Sequence, residues 1–189
     1  MGHVRALTTV WAAWAWLTAL AYLNGPEISH LQPIVAMTVD NDVIGLHFFN
    51  PVPASKLVEI VVADSTPEPL VDEARGWVEA LGKTPIVVKD APGFASSRLG
   101  VVIALEAIRM VEEGVASAQD IDNAMVLGYK FPVGPLALTD IVGLDVRLGI
   151  AEYLASTLGD SFAPPQLMRD MVERGELGRK SGKGFYDYS

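Results

Sequence analysis

Residues 45–59, GLHFFNPVPASKLVE, leave the chain little choice of local structure. Residues 43–50 and 56–62 are short apolar runs that read as buried strands. The proline-bounded PVPAS between them has the length and composition of a hairpin loop. Closing that hairpin on Asn50 and Lys56 sets His47 opposite Glu59 in antiparallel register. Directly opposed side chains have Cβ atoms about 4.5–5.5 Å apart, within reach of a carboxylate–imidazole bond. A histidine held this way is a general base suited to neutral pH. The residues alone leave two readings open: a catalytic pair, or a histidine bonded within a strand edge.

Composition narrows the classes. Of 189 residues, 50% are hydrophobic and 20% charged, which suits one globular domain or two small ones. A net charge of −9 argues against a nucleic-acid partner, because a phosphate backbone needs a basic face. The chain has no cysteine, which removes disulfides, thiolate catalysis and zinc–thiolate sites together. That composition suits the cytoplasm. No metal site is expected. The apolar run 10–23, VWAAWAWLTALAYL, is too short for a bilayer span. It has three readings: a buried helix ending at Asn24-Gly25, a signal-like segment, and a non-native start.

Further along, residues 34–39 read as a strand that Asp40-Asn41-Asp42 turns into the next. Ser65-Thr66-Pro67-Glu68 has the pattern of a capping box with proline in the first turn. The helix it opens puts Leu70, Ala74, Trp77, Val78 and Leu81 on one face and stops at Gly82. Residues 85–89 form another strand, and Asp90-Ala91-Pro92-Gly93 breaks the chain. Beyond it, four helices are expected: 98–113, one capped by Ser117 and Asp120 and closing at Gly128, 145–158, and 165–174. The first is apolar nearly all round, so it should be buried on most sides.

Several blocks in one order carry a resemblance: HFFNPVP, KLVE, TPIVVKDAPGF, GPLALTDIVGLD and GRKSGKGFYDY. Together they resemble the 3-hydroxyacyl-CoA dehydrogenases, including the bacterial 3-hydroxybutyryl-CoA enzymes, from about Val43 to Tyr188. The resemblance implies an α/β fold: the last strands of a Rossmann-like sheet, then an all-α C-terminal dimerisation domain. It divides the chain into an atypical segment 1–42, the end of an NAD-binding domain over 43–91, and a helical domain over 92–189. By the same likeness His47 is the general base for the substrate 3-hydroxyl, and Glu59 orients its imidazole. Asn50 lies near the nicotinamide of NAD, and Lys180 reaches the cofactor from the end of the chain. The expected partners are an acyl-CoA substrate and a second copy of the chain, with no membrane.

Two departures stand out. Ser97 occupies the place where the family carries an asparagine that bonds the substrate carbonyl, which makes it a shorter candidate contact. The family's G-x-G-x-x-G, which seats the pyrophosphate at a helix N-terminus, occurs nowhere in the sequence. Three readings follow: a dehydrogenase with impaired activity, an inactive product that still dimerises, and one part of a split enzyme.

Overall fold

In a computed structural model, residues 34–39 and 42–188 are described, and the chain separates into two compact units, Met1–Phe94 and Ala95–Ser189. The apolar run 10–23 and the turn residues Asp40 and Asn41 lie outside the described residues.

The first unit contains strands β1 (Ile34–Val39), β2 (Asp42–Phe48), β3 (Leu57–Val62) and β4 (Thr84–Lys89), with helix α1 (Glu68–Ala80) between the last two. The strands lie side by side in chain order. β1 with β2 and β2 with β3 are antiparallel, whereas β3 with β4 is parallel and needs α1 as its crossover. The β2–β3 ladder pairs Phe48 with Val58 and His47 with Glu59. The two strands stop short of Asn50 and Lys56, but the register those residues imply is kept.

Side chains alternate across a strand, so one sequence supplies two different faces. Ile44, Leu46 and Phe48 join Val58 and Ile60 on the face that packs against Leu70, Val71, Ala74 and Val78 of α1. His47 and Glu59 fall on the opposite face. Gly45 stands there opposite Val61, where an added Cβ would come within 3.0 Å of the Val61 Cβ. Trp77 packs at the margin of the α1 core, while Leu81 is exposed.

The capping box at Ser65 does not form. Pro67 is the N-cap and no side chain caps the helix. The Thr66 hydroxyl instead accepts from the Ala63 amide and donates to the Val43 carbonyl, tying the turn to β2. At the other end Gly82 takes φ +70, the left-handed stop that its sequence position predicts.

The second unit is helical: α2 (Ser96–Glu112), α3 (Ala118–Asn123), α4 (Pro135–Val142), α5 (Leu144–Leu158) and α6 (Gln166–Glu173). Its core gathers Val101, Leu105 and Ile108 of α2 with Leu136, Ala151, Leu154 and Met168. Ser117 caps α3 as expected, accepting the Asp120 amide at 3.1 Å. The helix nevertheless changes to a π-turn at Ala124–Gly128 instead of running to Gly128 as one α-helix. A fifth helix, α4, stands where the sequence suggested only a connection. Its start is set by Gly134-Pro135 and by a carboxylate from outside the segment: Asp122 accepts the Leu136 amide at 2.8 Å and the Ala137 amide at 2.9 Å. Among the described residues no helix is long and apolar enough to cross a membrane.

Candidate active site

The centre of interest in the first unit is the pair on β2 and β3. His47 Nδ1 lies 2.6 Å from Glu59 Oε2, and the two side chains are 2% and 0% exposed. A bond this short between an imidazole N–H and a carboxylate fixes the ring plane and its tautomer. With Nδ1 engaged, Nε2 is the nitrogen left to take a proton. Two rings flank the imidazole. Phe49 lies 4.7 Å from it, centroid to centroid, and Phe94 lies 5.4 Å away, both tilted by about half a right angle. The pairing that register predicted is present in the folded chain.

The loop after β2 is built tightly. Asn50 is exposed and precedes a cis bond to Pro51. The Pro51 carbonyl accepts the amides of Ala54 and Ser55, at 3.0 and 3.1 Å. Lys83 closes the loop from below by donating to the carbonyls of Val52 and Ser55.

Ser97 and Lys180 belong to the second unit. Ser97 is half-buried in the first turn of α2. Lys180 sits in a short 3₁₀ turn, Arg179–Ser181, and its ammonium contacts Asp145 at 2.5 Å. Gly143, at φ +104, lies beneath that pair, and a Cβ there would approach the Lys180 Nζ to 3.2 Å.

Two carboxylates that the sequence reading passed over organise this unit. Asp140 accepts the amides of Phe185 and Tyr186 and the Tyr188 hydroxyl, each at 3.0 Å. Burial raises its pKa, against the pull of those three bonds. Asp122, besides capping α4, accepts the Tyr186 hydroxyl at 2.8 Å. Burial, and then this bond, push the Tyr186 hydroxyl upward. The segment GKGFYDY is thus strapped to α3 and α4, which fixes the turn that carries Lys180. The available signal was an aspartate in GPLALTD, with glycines at 178 and 184 leaving room for it. Among the described residues no group of three potential metal ligands occurs.

The model of the 3-hydroxyacyl-CoA dehydrogenase C-terminal domain matches residues 93–188, and that of the family's NAD binding domain matches 25–91. The chain belongs to the 3-hydroxyacyl-CoA dehydrogenase family. The match begins at residue 25, so it reaches further toward the N-terminus than the blocks from Val43 onward. A probable 3-hydroxybutyryl-CoA dehydrogenase of Bacillus subtilis is 50% identical over 147 residues, covering 77% of this chain and 51% of the relative. The 3-hydroxybutyryl-CoA dehydrogenase of Mycobacterium tuberculosis is 45% identical over 87% of this chain and 58% of its own length. Among solved structures, the (S)-3-hydroxybutyryl-CoA dehydrogenase PaaH1 from Ralstonia eutropha is 44% identical with a TM-score of 0.73. That likeness covers 77% of this chain and 52% of PaaH1. The chain spans about half the length of the curated relatives it matches.

Proposed function

We propose that this chain carries the proton-transfer part of an NAD-dependent 3-hydroxyacyl-CoA dehydrogenase site, which oxidises 3-hydroxyacyl-CoA to 3-oxoacyl-CoA in fatty acid metabolism. The observation that carries the reading is the buried His47–Glu59 bond. Oxidising a secondary alcohol removes a hydride and a proton, and the proton needs a base of fixed orientation. His47 takes it at Nε2. Glu59 holds Nδ1 and favours the imidazolium that results. Ser97 is the candidate donor to the substrate carbonyl, and Asn50 and Lys180 are candidate cofactor contacts.

NAD, when bound, would take the hydride. Among the described residues, the connection from β3 to α1 does not fit its pyrophosphate. The connection from β3 to α1 is Ala63-Asp64-Ser65-Thr66-Pro67, in which Asp64 would repel a phosphate and Pro67 offers no N–H. These residues therefore fit the proton chemistry and not the phosphate cradle, and turnover by the chain alone should be very low. A second copy of the chain and a cytoplasmic setting without nucleic acid belong to the same reading. Support for the second copy comes from α4, where Leu138, Ile141 and Val142 are exposed. Support for the rest comes from the acyl-CoA chemistry named for the relatives and the net charge of −9.

The test is NADH oxidation with acetoacetyl-CoA, using the chain alone and the chain fused to a family-typical cofactor half. Activity is expected only in the fusion. His47→Gln in the fusion should then lower the rate by roughly 10²–10⁴-fold, and asparagine at position 97 should raise it. Ordinary activity from the chain alone would overturn the cofactor part of the proposal. A fusion indifferent to His47→Gln would overturn the rest.

A further inference from the structure

Phe94 is one of two non-glycine residues with positive φ among the described residues, at +46. That region is costly for a bulky L-residue, and such strain persists where the surroundings over-determine it. The turn holding it is closed by the Phe94 amide donating to the Ala91 carbonyl at 2.9 Å. The result of this backbone is a ring 5.4 Å from the imidazole of His47. Phe49, two residues beyond His47, brings a second ring to 4.7 Å. Period-two alternation puts residues 47 and 49 on one side of the chain, so the second ring follows directly from the sequence.

We propose that Phe94 and Phe49 are positioning residues that form an aromatic clamp on His47 and stabilise its protonated form. The inference rests on His47 being the base and names what tunes it. An aromatic ring carries negative charge density over its faces and attracts a cation placed over a face within about 6 Å of the ring centroid. Both rings meet that distance. An aliphatic wall would exclude water equally well and so disfavour the imidazolium. An aromatic wall excludes water and returns part of that cost. Among the described residues the charged group bonded to the ring is Glu59 on β3. The carboxylate thus holds the imidazole at Nδ1, while the two phenyl rings lie tilted against it by 47° and 53°.

Leucine separates these effects, because it keeps the apolar bulk and removes the quadrupole. The measurement is ¹³C NMR of histidine ring carbons during a pH titration of the full chain. His47→Asn assigns its signal against those of His3 and His30. Phe94→Leu and Phe49→Leu should each lower the titration midpoint of His47 by roughly half a unit, about 0.7 kcal/mol. Phe94→Tyr and Phe49→Tyr, which keep the π face, should stay within about 0.2 units of the parent. Folded leucine variants with the parent's midpoint would overturn the clamp, as would tyrosine variants that fall by the same amount. If Phe94→Leu does not fold, Phe49→Leu decides alone by the same criterion. The readout needs no turnover, so a failure of the dehydrogenase reading leaves this result interpretable.

Discussion

At the scale of single residues, the buried imidazole–carboxylate bond is the most consequential contact of the first unit. Its formation depends on two side chains with almost no solvent access. A partner removed from such a bond leaves a buried polar group without its hydrogen bond, which costs about 1–3 kcal/mol. Glu59→Ala should therefore lower the unfolding free energy by about that amount, measured as a shift in urea midpoint at constant slope. Glu59→Gln keeps an acceptor oxygen and should recover part of the loss. Equal stability of Glu59→Ala and the parent would mean that the pair contributes nothing to folding.

At the scale of elements, the C-terminal strap depends on glycine where the backbone passes closest to α4. Gly178 takes φ +92, and a Cβ there would come within 2.3 Å of the Asp140 carbonyl oxygen. Strain and overlap act together, so Gly178→Ala should destabilise the second unit by roughly 2–4 kcal/mol. A thermal melt would register the loss, and an unchanged melting temperature would contradict the strap. The same segment carries a pH dependence. The Arg174 guanidinium, and then the Lys183 ammonium, hold the Glu176 carboxyl down from its ordinary 4.5 to about 2. The contacts are 2.8 Å from Arg174 and 2.9 Å from Lys183. A carboxyl lowered by folding contributes stability that is present above 4.5 and is lost as the pH falls toward 2. Glu176→Gln should thus melt below the parent at pH 7, with the two curves converging near pH 2. A gap that persists unchanged in acid would assign the effect to packing instead of charge.

At the scale of the whole molecule, α4 presents Leu138, Ile141 and Val142 to solvent at i, i+3 and i+4 spacing, which puts them on one helix face. A contiguous apolar face on a helical unit marks a surface for association. Sedimentation of the chain at micromolar concentration should show a dimer, and Ile141→Asp combined with Leu138→Asp should yield a folded monomer. A parent chain that sediments as a monomer would remove the dimer proposal.

The hairpin, its register and the opposition of His47 to Glu59 were legible in residues 45–59, because alternation and loop length leave one antiparallel solution. The helix stops at Gly82, Gly159 and Gly175 were legible for a similar reason, since each glycine takes positive φ right after a helical turn. These are local rules and need only neighbouring residues. What failed was settled at a distance. Thr66 left the expected capping box to bond the Val43 carbonyl, 23 positions away. The eight-residue α4 went unread because a short apolar stretch has no helical period of its own to declare, and its first amides are satisfied by Asp122 from another helix. Asp140 went unread together with α4, because its donors come from the distant tail that folds onto it. Phe94 carried no signal in the sequence, and its positive φ is what sets its ring beside the imidazole. The sequence by itself determined the strands, the hairpin and the chemical pair it brings together. Only the tertiary structure decided which polar groups far apart in the chain would satisfy one another, because buried donors and acceptors take whichever partners the packed chain brings within reach.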